Sequence, residues 1–208
     1  MIMKREAKLK DALLEGEEEM SNSIMEKSNK PRKYARPIDM EPSRFVHKYV
    51  SSLYNLQRPV IDVVCGYGRN GLEILKGGNR CVFCDVDIKC LKEIITSIQF
   101  TNYRDNYCLK RIDFDKEKWP FPDNSCAGII NVHYYNHRLI PFFMRSICKG
   151  GFLLIETIDN RGDNYLELTI TKSKYLFDLL KSGFDFIYYS EGKIIHGRAK
   201  VKLFAIKK

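Results

Sequence analysis

Four short apolar runs, Val60–Val64, Cys81–Cys84, Ala127–Val132 and Phe152–Ile155, constrain this chain more than any other feature. None of them alternates between apolar and polar residues, as a strand with one wet face would. Strands of this kind need cover on both faces, and the segments between them supply it. Leu72, Ile74 and Leu75 share one helical face, as do Leu91, Ile94, Ile95 and Ile98, and a further helix is expected near Pro141–Ile147, ending at Gly150-Gly151. Ser43 is a candidate N-cap for an earlier helix carrying Phe45, Val46, Tyr49, Val50 and Leu53. A short strand is expected around Leu109–Ile112. The expected fold is therefore α/β, a doubly wound, mostly parallel sheet. The final stretch departs from this rhythm: Phe184–Tyr189, a turn at Glu191-Gly192 and Ala199–Ile206 read as an antiparallel C-terminal hairpin.

The chain has 208 residues, about one domain plus an appendage. With 44% apolar and 12% aromatic residues it can bury a sizeable core, which excludes wholesale disorder. Residues 1–36 read as a charged extension, mobile or partly helical. Ala7–Met20 could form a helix there, but Glu17-Glu18-Glu19 leaves it polar and Pro31 ends any continuation. Residues 37–208 read as the folded domain. No apolar run approaches the roughly 18–20 residues of a membrane span, and no signal core opens the chain, so a soluble cytoplasmic protein, or a nuclear one, is expected. The 35 basic residues exceed the 26 acidic ones by nine. The excess gathers at Lys27–Arg36 and Arg198–Lys208, where it either solvates a tail and a strand edge or binds a polyanion such as RNA. Seven cysteines without a secretory signal read as reduced thiols. Cys81 and Cys84, three apart in a strand, face opposite sides of the sheet, so no metal site is expected.

Between the first strand and the next helix runs Asp62-Val-Val-Cys-Gly66-Tyr-Gly68-Arg69-Asn-Gly71. Its glycines fit G-x-G-x-x-G, the turn that brings a backbone against a nucleotide at a helix N-terminus. Asp85 stands 19 residues beyond Gly66, where a carboxylate can accept ribose hydroxyls. That pair alone fits an NAD(P)-dependent oxidoreductase as well. Asp62 distinguishes the two readings, because a strand-borne carboxylate is unfavourable beside a diphosphate but favourable beside an ammonium or sulfonium.

In this constellation the chain resembles the class I S-adenosylmethionine-dependent methyltransferases over about residues 40–208. Asp85-Val-Asp-Ile-Lys-Cys-Leu91 resembles the family's ribose-binding motif. Asp113-Phe114-Asp115 followed by Trp119-Pro-Phe-Pro-Asp-Asn-Ser125 resembles the stretch whose acid meets the adenine amine, with either aspartate in that role. Cys148-Lys-Gly-Gly-Phe152 resembles the turn into the fifth strand. The resemblance implies a seven-stranded sheet with an antiparallel last strand, S-adenosyl-L-methionine as cofactor, and Asp62, Gly66, Gly68, Arg69, Asp85, Asp113, Phe114, Asp115 and Asn131 as cofactor-binding residues. Pro42-Ser43, Asp113 ahead of Trp119-Pro120, His137-Arg138 and Glu156-Thr157 are closest to an uncharacterised branch related to the tellurite-resistance type. Val64 stands where the family has glycine or another small residue, and Cys126-Ala127 replaces its Phe-Asp.

Methyl transfer from a sulfonium demands alignment and exclusion of water, with a base only where the acceptor loses a proton early. Ligands of doubly wound folds sit at the carboxyl edge of the sheet. That puts Asn131, His133, Tyr134, Tyr135, His137 and Arg138 after the fourth strand, and Glu156, Asp159 and Asn160 after the fifth, near the reaction. His137 is the first candidate for a base or substrate donor, with Tyr135 and His133 beside it. His133 could equally be a hydrogen-bonded strand end, and Arg138 either holds an anionic substrate or bridges to Glu156. No Asn/Asp-Pro-Pro-Tyr and no Pro-Cys follows the fourth strand, which argues against adenine-N6 and cytosine-C5 methylation. The expected acceptor is a small molecule; an RNA methyltransferase, or a non-catalytic cofactor- or RNA-binding module, is the alternative.

Overall fold

The computed structural model describes residues 40–99, 101–103, 105–158, 177–178, 180–193 and 199–208. The expected 1–36 extension, the basic cluster within it, Asp159 and Asn160 lie outside the described residues.

Ser43 starts the first helix as expected: its hydroxyl accepts from the Phe45 amide at 3.2 Å, and α1 (Arg44–Val50) buries Phe45, Val46 and Val50. Strand β1 (Val60–Val63) leads through the glycine loop into α2 (Arg69–Lys76). Strand β2 (Cys81–Asp85) is followed by α3 (Ile88–Ile98), whose N-cap Asp87 accepts from the Lys89 amide at 2.8 Å. Next come β3 (Tyr107–Arg111), β4 (Cys126–Val132), a 3₁₀ turn (His137–Leu139), α4 (Ile140–Ser146) and β5 (Ile147–Ile158). Strands β6 (Phe184–Lys193) and β7 (Ala199–Lys207) complete the order.

These strands make one seven-stranded sheet in the order β3-β2-β1-β4-β5-β7-β6. Strands β3, β2, β1, β4 and β5 run parallel, and β7 inserts antiparallel between β5 and β6. The expected doubly wound sheet with its C-terminal hairpin is therefore observed. The absence of alternation has its expected cause, since β1, β2, β4 and β5 each feed two cores, whereas the edge strand β3 packs Tyr107 and Leu109 against one. Ile61, Val63, Val82, Cys84, Ile129 and Leu153 face one cluster with Ile140 and Phe143 of α4. Val60, Cys81, Phe83, Ile130 and Leu154 face the other with α1, α2 and α3. Cys81 and Cys84 thus lie on opposite faces. Among the described residues no helix is long and apolar enough to cross a membrane.

Two boundaries differ from the expectation. Gly150-Gly151 does not end the preceding helix, which stops at Ser146; the pair lies inside β5. Cys126 pairs with Ile147 and Gly128 with Phe152, so a single β4 residue opposes four of β5, and Gly150 takes a φ of 76° within that bulge. Glu191 and Gly192 do not form the hairpin turn either. They pair with Val201 and Lys200 inside the β6–β7 ladder, and the connection falls in residues 194–198, outside those described. Gly150 sits in a local irregularity that cross-strand pairing spans, whereas Gly192 pairs regularly within its ladder.

Candidate functional site

The strand order reverses between β1 and β4, so the crevice of this sheet opens at their carboxyl ends. The glycine loop fills one side of it. Val64, Gly66 and Gly68 all take positive φ, 53°, 54° and 76°. A β-carbon on Gly68 would meet Ile94 Cδ1 at 2.7 Å, whereas one on Gly66 would meet nothing within 4 Å, so the backbone is bare on the Gly66 side. Val64 is the strained member. A β-branched residue disfavours this conformation, and its side chain packs, half-buried, against the core that holds Val63 and Ile155.

Gly68 is the N-cap of α2 and has no side chain with which to cap it. Asp62 supplies the missing acceptor from the strand below: its Oδ2 takes the Gly71 amide proton at 2.9 Å. The carboxyl group is buried and its pKa is pushed up to about 7, chiefly by burial and further by Asp85, against the lowering effect of the Gly71 bond and Arg69. Asp62 thus has a structural partner in the α2 N-terminus that the sequence argument for a cationic ligand did not include.

Asp85 ends β2 and ties the rim together. Its Oδ2 accepts from the Gly66 amide at 2.7 Å and its Oδ1 from the Asp87 amide at 2.9 Å. Each oxygen retains acceptor capacity beyond these bonds. Next to it Val86 is 49% exposed and Tyr67, in the glycine loop, 50% exposed, an apolar pair flanking the carboxylate that sequence reading did not single out. An apolar residue directly after a strand-ending acid was the available signal. Across the crevice Asn131, paired with Val63 and Ile155, is buried, and its Nδ2 has no hydrogen-bond partner among the described residues. Leaving such a donor unsatisfied costs about 1–3 kcal/mol.

The two aspartates after β3 are separated by their partners. Asp113 holds the Asp115 amide at 3.1 Å and Lys116 Nζ at 2.9 Å, and the lysine keeps its carboxyl below the usual range. Asp115 instead faces β4: its Oδ1 accepts from Tyr134 Oη at 2.9 Å and Asn136 Nδ2 at 3.3 Å. Burial, with Asp115 adding to it, pushes the Tyr134 phenol up to about 12, so it is a donor at neutral pH. Phe114 is buried in the core against Trp119, ring centroids 5.4 Å apart. Arg69 is the first residue of α2 and half-buried.

Beyond β4 the chain turns sharply at His133, whose φ is 62° and whose amide donates to the Glu156 carbonyl at 2.7 Å. His133 and His137 are exposed, while Tyr135 is half-buried against the core. Asn136 caps the 3₁₀ turn by accepting from the Arg138 amide at 3.1 Å. Glu156 is taken by other groups: Ser43 Oγ donates to its Oε2, and Lys202 Nζ lies 2.9 Å from its Oε1. With the Ser43 amide donating to Asn70 Oδ1 at 2.9 Å and His47 Nδ1 2.6 Å from Glu73 Oε1, the first helix is tied to both α2 and β5. Asn70 was not anticipated; an asparagine in the first turn after a glycine loop was its only trace in the sequence.

No family profile matches the chain, and no curated protein matches it. Solved structures share its fold. Geranyl diphosphate C-methyltransferase from Streptomyces coelicolor A3(2), in complex with Mg2+, geranyl diphosphate and S-adenosyl-L-homocysteine, superposes with a TM-score of 0.61 at 10% identity, covering 79% of this chain and 76% of that one. The [4+2]-cyclase SpnF gives 0.60 at 13% identity, over 78% and 79%. TYW2 from P. horikoshii, in complex with MeSAdo, gives 0.58 at 15% identity, over 76% and 61%. The chain shares with these structures a Rossmann-like fold, the one on which S-adenosylmethionine-dependent methyltransferases of the class I type are built.

Proposed function

We propose that this protein is an S-adenosylmethionine-dependent methyltransferase acting on a small molecule. One observation carries the reading: at the crevice of a β3-β2-β1-β4-β5-β7-β6 sheet, the β2-terminal carboxylate of Asp85 is locked 2.7 Å from the glycine-loop amide of Gly66. The residues present fit the cofactor. Gly66 leaves its backbone bare, Asp85 has acceptor capacity for two ribose hydroxyls, and Val86 offers exposed apolar surface beside it. Asn131 holds a buried amide donor with no partner among the described residues. Asp113 or Asp115 would meet the adenine amine, and Gly68 and Arg69 would flank the loop. When bound, S-adenosylmethionine supplies an electrophilic methyl group on a sulfonium.

The chain's own residues then align the acceptor and exclude water. Tyr134, bonded to Asp115, couples the cofactor side of the rim to the acceptor side. His133 and His137 present exposed imidazoles on that side of the rim. Tyr135 adds half-buried aromatic area beside them. The likeness to a geranyl diphosphate C-methyltransferase supports a small acceptor. SpnF is a cyclase on the same fold, so the site and not the fold must carry the assignment.

Calorimetric titration with S-adenosylhomocysteine tests it. Micromolar binding is expected, weakened at least about tenfold in Asp85→Ala; no heat at millimolar ligand sinks the proposal. Incubation with radiolabelled S-adenosylmethionine and extract fractionated into small molecules, RNA and protein then assigns the acceptor class, and label confined to RNA would replace the small-molecule reading.

A further inference from the structure

The loop after β4 carries more than a candidate base. From His133 to Arg138 it contains two imidazoles, a guanidinium and no carboxylate. All three basic side chains are exposed, and none makes a side-chain hydrogen bond or ion pair among the described residues. Among the described residues, the carboxylates of Asp115 and Glu156 are committed elsewhere, Asp115 to Tyr134 and Asn136, and Glu156 to Ser43 and Lys202. The loop itself is held in place. The His133 amide is fixed on the Glu156 carbonyl at 2.7 Å, Tyr134 on Asp115 at 2.9 Å, and the Arg138 amide on Asn136 Oδ1 at 3.1 Å. His133 also takes a positive φ of 62°, which histidine adopts more readily than most side chains, at the point where β4 ends, and its imidazole is exposed.

A rigid loop that exposes three hydrogen-bond donors, one of them permanently charged, and offers no internal counter-charge is suited to an anion. We infer that the acceptor molecule is an organic anion, a carboxylate or a phosphate monoester, held by Arg138 with His133 and His137 on the rim after β4. This rests on the methyltransferase reading and adds the chemical class of its substrate. The anionic group is the handle by which the acceptor is oriented, with Arg138 as the positioning residue and an imidazole beside the reacting atom.

The test uses the full chain and two probes, benzoate and phenyl phosphate, titrated with and without saturating S-adenosylhomocysteine while the imidazole NMR signals of His133 and His137 are followed. One probe is expected to move both signals saturably, with a midpoint on the order of 1–10 mM, and whichever binds tighter distinguishes carboxylate from phosphate. Arg138→Gln should raise that midpoint at least about fivefold, with Arg138→Lys recovering part of the loss. S-adenosylhomocysteine affinity, measured on the same samples, should be unchanged in both variants, which also shows that they are folded. Signals that move only linearly with both anions, or identically in wild type and Arg138→Gln, overturn the inference even where S-adenosylhomocysteine binds. Failure of S-adenosylhomocysteine to bind sinks the methyltransferase reading separately, whatever the anions do.

Discussion

Replacing Asp62 by asparagine isolates the most unusual electrostatic feature of the protein. In the wild type a buried carboxyl group accepts the Gly71 amide proton, and its pKa rises from the usual 3.8 to about 7. Its surroundings are Asp85 from β2, which raises the value, and Arg69 of α2, which lowers it less than burial raises it. A raised acid pKa means that the folded state holds a proton the unfolded state has already released. Stability therefore falls as pH climbs from 3.8 towards 7 and levels off above. The whole interval corresponds to about 4 kcal/mol, of which about 2–3 kcal/mol is lost between pH 5 and pH 8. Asparagine keeps an oxygen for the Gly71 amide and does not titrate. Urea unfolding of both proteins at pH 5 and pH 8 should thus show the wild type losing about 2–3 kcal/mol relative to Asp62→Asn, a relative midpoint shift of about 1 M at ordinary urea sensitivity. Titrating groups that do not interact with Asp62 cancel in the difference. Two proteins that track each other within about 1 kcal/mol across that range would show that the carboxyl group is not held in the environment described here.

Gly71→Ala should destabilise by more than about 2 kcal/mol, because its β-carbon would lie 2.3 Å from Phe83 Cε1 and 2.9 Å from Asp62 Oδ2, while Gly192→Ala, with nothing within 4 Å, should be neutral in the same denaturation assay. Val64→Gly should cost less than about 1 kcal/mol in that assay, since relief of the left-handed strain offsets the lost apolar packing; a loss of 3 kcal/mol would mean that the valine is not strained. Glu156→Gln weakens the tie from β5 to Ser43 and Lys202, and hydrogen exchange of the α1 amides should accelerate several-fold while β1 and β4 amides are unaffected.

Much of the architecture was legible because it follows from local chemistry. Unalternating apolar strands can only be strands covered twice, and the two cores found on either side of Val60–Val63 and Cys126–Val132 are that rule in three dimensions. The Ser43 cap, the glycine loop and the β2-terminal position of Asp85 are likewise short-range and were readable. The two misplaced boundaries, at Gly150-Gly151 and Glu191-Gly192, have one cause. Glycine signals a break locally, but the pairing of β5 with β4 and of β6 with β7 continues across it, and a ladder of hydrogen bonds outweighs one residue's preference.

At the rim the division is sharper. Which residue types gather after each strand follows from the chain alone, because strand ends and spacings place them on one edge of the sheet. Folding in three dimensions sets what most of them face: Asp62 the α2 N-terminus, Asp115 Tyr134, and Glu156 Ser43 and Lys202, while Asp113 bonds Lys116 of its own loop. These partners are up to 113 residues apart in the chain. A carboxylate's role depends on the nearest donor in space, and no periodicity or spacing along a strand records that distance.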